Sequence, residues 1–476
     1  MEAVLLIDFG STNTKVTAVD PIGEQLLGTA VAFTTVNTDI GEGLAEALTK
    51  LEKQTGPLHF LKRYACSSAA GGLRMVASGL VPSLTAEAAR LASLGAGAKV
   101  VKVFSYELTD EDIVEIAALK PDIFLLSGGV DGGNKDCILH NARMLATLRV
   151  DAASGVDRGP FPILLAGNRA AMAACETILT GWEVIRCPNV LPRLGKLNIE
   201  PVQTQIRDLF LRRIIHAKGL SREQALISGI LMPTPAAVKR GIELLAEGIP
   251  VAWGPSQGGI GELVAVDLGG ATTDVYSVAK GFPQAGEVIL KGLPEPLSKR
   301  TVEGDIGMRY SAAGVLEAAG LGRLMELSGL AEDGVIAGTV RLSAHPDDLP
   351  STTEEERLDF ALAAAAVETA VSRHAGTLEE IYTPTGLVLV QSGKDLRGVT
   401  NLVLTGGALI QNPRIGEIAA QARYNPAHPE SLRPGGERVF IDRRYILAAM
   451  GLLAEAYPEA ALAIMKKEIK EYGTEK

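Results

Sequence analysis

Apolar runs in this chain repeatedly end on one polar residue and then turn over glycine. Val4–Phe9 is apolar except for Asp8 and closes on Gly10. Leu263–Leu268 repeats the pattern with Asp267 ahead of Gly269 and Gly270, and Asn401–Thr405 runs into Gly406 and Gly407. Short apolar runs bounded by glycine predict strands that close on tight turns. Around the first of them the pattern predicts strands over Lys15–Val19 and Gln25–Phe33, with Asp20, Pro21 and Gly23 as a hairpin turn, then a helix over Glu42–Lys53 and a strand over Phe60–Ser67.

From Gly71 to Ile199 the rhythm changes. Strands are predicted at Val100–Phe104, Ile123–Ser127, Ile163–Ala166 and Glu183–Arg186, with helices such as Asp110–Leu119 and Asn168–Leu179 among them. Strands alternating with helices imply a parallel sheet, read here as an inserted α/β domain. In the second half, Glu317–Thr353 is rich in glycine and acids and reads as a variable section. Glu354–Arg373 carries Leu358, Ala361, Leu362 and Ala365 at helical spacing, which predicts a core helix. The expected division is therefore 1–70 as the first part of an N-terminal half, 71–199 as the insert, 200–261 as the completion of that half, and 262–476 as the C-terminal half.

Composition narrows the class. Hydrophobic residues make up 47% of the 476 and aromatics only 4%, so the cores are built from Ala, Leu, Val and Ile, as in layered α/β proteins. A formal charge of −10 argues against nucleic acid or an anionic membrane as partner. No apolar stretch is long enough to span a bilayer and residues 1–7 lack the marks of a leader, so a cytoplasmic protein is expected. Cys66, Cys137, Cys175 and Cys187 show no C-x-x-C spacing, which leaves free thiols as the expectation.

The glycine turns carry the chemistry. Glycine lets the backbone approach phosphate oxygens, and successive N–H groups in a turn form an anion nest. Gly10, Ser11, Thr12, Asn13, Thr14 and Lys15 form one candidate phosphate loop; Gly269, Gly270, Ala271, Thr272 and Thr273 form the other. Gly406, Gly407 and Ala408 suit a turn lying flat against a nucleoside. Asp8 and Asp267 can hold the waters of a hydrated Mg²⁺, which usually keeps much of its shell. Asp8, Asp267 and Asp274 are the candidate catalytic acids, able to position an attacking water. Glu303 and Asp305, within Val302–Ala312, are further acids or simply a polar turn.

A single strand-end D-x-G is often only a turn, but three such elements in this order resemble the sugar kinase, heat-shock chaperone and actin superfamily of ATPases. That resemblance implies two ribonuclease-H-like halves closing over ATP or ADP with Mg²⁺. It also implies that Met232–Gly241 and Tyr445–Leu453 are the two connecting helices. The glutamate that opens the first connecting segment in the chaperones is here matched by Met232, which leaves the catalytic base unassigned. Glu368 and Arg373 resemble the charged residues that reach adenine on a comparable helix.

Through DFGSTNTK, LLSGGVDGG, MPTPAAV, DLGGATTDV, VEGDIGMR and LTGGAL the whole chain is similar to the MutL family linked to glutamate mutase. This implies an ATP-dependent chaperone or reactivating factor for an adenosylcobalamin-dependent aminomutase. The insert's Ser127–Gly133 turn resembles that of cobalamin-binding domains but lacks their D-x-H-x-x-G, so partner recognition is its expected role. Alternatives of the same fold are a small-molecule kinase, a dehydratase activator, which the scattered cysteines disfavour, and an actin-like filament protein.

Overall fold

The computed structural model describes residues 2–10, 13–34, 40–68, 73–148, 160–216, 231–251, 256–284, 286, 288–384 and 386–473. The chain divides into two compact units. One holds the residues up to Asp20, Leu26–Ala237 and Gly292–Pro294; the other holds Pro21–Gln25, Val238–Lys291 and the residues from Glu295 onward.

In the first unit, β1 (Glu2–Phe9), β2 (Asn13–Asp20), β3 (Gln25–Phe33) and β4 (His59–Ser67) lead into β5 (Arg74–Gly79), β6 (Lys99–Ser105), β7 (Ile123–Leu126), β8 (Ile163–Leu165) and β9 (Val184–Arg186), before the chain returns at β10 (Leu231–Pro233). One sheet has the order β10-β4-β1-β2-β3. β1 is antiparallel to β2 and parallel to β4, and β10 is parallel to β4. Alternation along β1 sends Leu5, Ile7 and Phe9 into a core with Val16, Ala18 and Leu51. Asp8 lies on the opposite face, only 6% exposed.

The insert is a second, wholly parallel sheet of order β6-β5-β7-β8-β9. One of its inner strands, β5, is absent from the expectations drawn above, because Ala77, Ser78 and Gly79 are poor strand formers. Gly79 is there for closeness: a Cβ would sit 2.3 Å from the backbone N of Ala86. On one side of the sheet Phe124, Phe161 and Trp182 form an aromatic cluster.

The second unit contains the short pair β11 (Gly248–Ile249) and β12 (Gln257–Gly258), then β13 (Leu263–Leu268), β14 (Thr273–Val278), β15 (Val288–Lys291), β16 (Ser298–Glu303), β17 (Thr377–Thr383), β18 (Gly386–Ser392), β19 (Asn401–Thr405), β20 (Arg438–Ile441) and β21 (Lys470–Glu471). Its main sheet runs β16-β14-β13-β19-β20-β21. β13 and β14, and β14 and β16, are antiparallel; β19 and β20 run parallel to β13. Numbered along the chain within each sheet, their first five strands share one order, third-second-first-fourth-fifth, and in both the first strand is antiparallel to the second and parallel to the fourth and fifth.

Val264, Val266 and Leu268 pack on the helix Thr353–His374. Its alanines at 361 and 363–366 are all buried, which lets helix and sheet approach closely. Thr352 opens this helix with a reciprocal capping box to Glu355. The section expected to be variable is helical instead, over Ala312–Ala319, Leu321–Ser328 and Glu332–Ala344. Two of its glycines are helix stops: Gly320 and Gly329 are C-caps at φ 83° and 62°.

Both connecting segments start later than expected. Met232 lies in β10, and the helix spans Thr234–Glu247, because Pro233 disfavours helical backbone at the residue before it. The second helix spans Leu447–Leu453. No helix among the described residues is long and apolar enough to cross a membrane.

Candidate functional site

In the first unit, strand register sets Lys15, Asp8, Cys66 and Met232 in a row across β2, β1, β4 and β10. Thr234 Oγ1 donates to Asp8 Oδ1 at 2.6 Å and Cys66 Sγ lies 3.5 Å from the same oxygen. Lys15 Nζ stands 3.8 Å from Oδ2. Burial, then the neighbouring Asp8, pushes the Cys66 thiol well above its usual range, so it is a neutral donor to the carboxylate. Met232 fills the row's last place with a buried thioether, where the chaperone-like pattern would set an acid.

The turn after β1 is held by Gly10 N donating to Asn13 O at 3.0 Å. A Cβ on Gly10 would fall 2.5 Å from that oxygen. Ser11 and Thr12 lie outside the described residues. Thr14 is fully buried and its hydroxyl is bonded to that of Thr34 at 3.0 Å, so it shapes the turn rather than facing a ligand.

The second unit repeats this geometry. Gly269 N donates to Thr272 O at 2.9 Å, closing the same turn after β13. Thr273 matches Thr14: it is fully buried, with its hydroxyl donating to Ile306 O. Asp267 pairs in register with Asp274 on β14 and Thr405 on β19. Tyr445 OH donates to Asp267 Oδ1 at 3.1 Å. Asp442 is 1% exposed; it accepts from Thr405 Oγ1 at 3.2 Å and from the backbone N–H groups of Ile446 and Leu447, anchoring the loop that carries Tyr445.

Asp274, expected as a catalytic acid, is ion-paired. Arg300 on β16 approaches its Oδ1 at 2.6 Å, with both side chains largely buried. Burial alone would push the Arg300 guanidinium down, but Asp274 holds it charged. The Asp274 carboxylate is thus neutralised in an ion pair that ties β14 to β16. Glu303 is likewise paired, with Arg373 at 2.6 Å. The stretch after β16 lies along the phosphate-type loop: Met308 N and Arg309 N donate to Gly269 O and Gly270 O, and a Cβ on Gly307 would meet Ala271 at 2.4 Å. Asp305 sits beneath the next helix, its backbone oxygen 1.8 Å from where a Gly314 Cβ would be.

Gly406 has φ 101°, and a Cβ there would strike Leu268 O at 2.3 Å, so that turn requires glycine. Gly407 has nothing within 4 Å of a Cβ position and is exposed, which leaves space beside the turn; Ala408 is half-buried. Elsewhere in this unit a cavity of about 650 Å³ is lined by Arg323, Glu326, Glu368, Arg373, Asn425 and His428, among others. It brings Glu368 and Arg373 together but is not lined by Gly406 or Gly407. Cys66, Thr234, Tyr445 and Asp442 were not singled out by motif. The one signal for Thr234 and Tyr445 was their place within the expected connecting segments.

No group of three or more His, Cys, Asp or Glu among the described residues forms a metal cage. Mg²⁺ is ordinarily bound through one or two carboxylates with phosphate and water completing its shell, and one carboxylate stands just before each turn. Two sheets of one order, each placing an Asp at the end of its first strand and a glycine turn after it, define the class of two ribonuclease-H-like halves found in sugar kinases and actin-like ATPases, with an α/β domain inserted in the first half.

The chain belongs to the MutL protein family, whose model matches residues 4–469. It is 46% identical over 471 residues to Protein MutL of Clostridium tetanomorphum, covering 98% of this chain and 99% of that one. Among solved structures it is similar to the activator of the 2-hydroxyisocaproyl-CoA dehydratase from Clostridium difficile with bound ADPNP, at 10% identity, 98% coverage of each chain and a TM-score of 0.34. It is also similar to xylulose kinase from Bifidobacterium adolescentis, at 12% identity, 99% and 96% coverage and a TM-score of 0.32. At such scores the strand orders, and not the likeness, carry the fold.

Proposed function

We propose that the protein binds Mg·ATP, hydrolyses it slowly, and uses the cycle to reactivate an adenosylcobalamin-dependent aminomutase such as glutamate mutase. The observation that supports nucleotide binding is the doubled geometry: Asp8 before the Gly10 turn and Asp267 before the Gly269 turn, at the same place in the same strand order. Family membership supports the client.

In this reading the backbone N–H groups of the two turns receive the phosphate oxygens, as oriented dipoles that need no reorganisation. Lys15 adds positive charge at the first turn. Asp8 and Asp267 would hold the waters of Mg²⁺, while Thr234 and Tyr445 each donate to one oxygen of their carboxylate. When bound, Mg²⁺ supplies positive charge to the phosphate oxygens and orders attacking water. Asp274 acts through Arg300 to keep the second turn's strands in register rather than as the base. Gly406, Gly407 and Ala408 offer the flat turn for the nucleoside. Two nucleotide states that favour different conformations would then remodel a partner that prefers one of them.

The test is to incubate the purified protein with glutamate mutase inactivated by damaged cobalamin, add fresh adenosylcobalamin, and compare recovered activity with and without Mg·ATP. Recovery only with Mg·ATP is expected. No recovery, with ATP binding intact, would remove this client and leave the nucleotide site standing.

A further inference from the structure

We infer that Thr234 and Tyr445 are paired positioning residues, each holding one metal-facing carboxylate to the N-terminal end of a connecting helix, so that occupancy of the carboxylates is transmitted into those helices. This rests on the reading of Asp8 and Asp267 as the nucleotide-site carboxylates.

Three observations carry it. The two contacts are counterparts: a hydroxyl shortly beyond the fifth strand of each sheet, one residue past it for Thr234 and four for Tyr445, donates to the Asp next to the end of the first strand, at 2.6 Å and 3.1 Å. Each hydroxyl stands at the start of a helix: Thr234 is the first residue of Thr234–Glu247, and Tyr445 lies two residues before Leu447–Leu453. Tyr445 is moreover held at φ 55°, in the left-handed region that an aromatic residue rarely adopts. Such strain persists only where the surroundings over-determine it, as the Asp442 bonds to Ile446 N and Leu447 N do here.

The third observation is that the helices meet. A Cβ at Gly241 of the first helix would lie 2.5 Å from Leu447 O and 3.3 Å from Gly451 N of the second. The chain passes from the first compact unit to the second between Ala237 and Val238, inside the first helix. Thr234 thus ties Asp8 to the start of the first helix, and within the second unit the later part of that helix touches the helix that follows Tyr445 at Gly241. Backbones in direct contact cannot slide without the partner shifting, which is the condition for a two-state element.

The experiment uses the full chain as Thr234→Val, Thr234→Ser and Tyr445→Phe, with Asp8→Asn as the control for the site itself. Freeing the carboxylate should raise the Mg²⁺ concentration for half-maximal ATP turnover about tenfold in Thr234→Val and Tyr445→Phe, the loss of one charge-assisted hydrogen bond. Thr234→Ser should restore it. Hydrogen exchange should show that Mg·ATP changes protection over 234–247 and 447–453 in the wild type. That change should disappear from 234–247 in Thr234→Val and from 447–453 in Tyr445→Phe.

If either readout is unchanged in both variants, the inference is overturned. Complete loss of ATP binding in a folded Thr234→Val would also overturn it, by making the hydroxyl a direct ligand. If Asp8→Asn binds and turns over Mg·ATP normally, the site reading fails instead, whatever the other variants do.

Discussion

Asp8 and Asp267 hold equivalent places, each the polar residue near the end of an otherwise apolar first strand. Asp8→Asn and Asp267→Asn should each reduce Mg²⁺-dependent ATP turnover by on the order of 10²-fold or more while leaving the circular dichroism spectrum unchanged. Turnover and calorimetric binding with and without EDTA check this. A different residue sets the pH response. Lys394 is wholly buried, donating to Ser277 Oγ and Leu297 O, and burial pushes its amine down to about 7. The unfolded chain keeps that amine charged up to about 10.4. Between these values the unfolded state binds more protons, so this group makes stability rise with pH from about 7 toward 10. Thermal melts of wild type and Lys394→Met across that range should show the wild type gaining on the variant as pH rises; parallel curves would mean a native lysine that stays charged.

Several elements follow directly from local chemistry. The helix Thr353–His374 has a capping box at Thr352 and alanine spacing that reads as core, and both are found. Thr352→Ala should cost about 1 kcal/mol in urea unfolding. The contact between connecting helices is less forgiving: Gly241→Val places a branched side chain where even a Cβ lies 2.5 Å from Leu447 O. That change should cost about 1–3 kcal/mol through overpacking, measured by the same unfolding series. Elsewhere the one-dimensional pattern misleads. Gly320 and Gly329 read as a variable section but stop helices, and MPTPAAV reads as one helix but is split by Pro233 into a strand end and a helix start. β5 is silent because its small residues are chosen for close packing and not for strand propensity.

At the scale of the whole molecule, the same sheet order is built twice, each with its own phosphate-type turn, and the proposed function calls on both. Asp267→Asn should therefore abolish ATP-dependent recovery of an inactivated aminomutase even though the first turn is untouched, a result read in the reactivation assay at unchanged thermal transition. Motif order along the chain determined the fold class, the positions of the two strand-end acids, and the glycines at 10, 269 and 406, because each depends on a few neighbouring residues. Tertiary structure alone decided the partners: Thr234 and Cys66 on Asp8, Tyr445 on Asp267, and Arg300 on Asp274. Those contacts join residues from 26 to 226 positions apart. Strand register and helix crossing, which no local pattern encodes, bring them within hydrogen-bond reach.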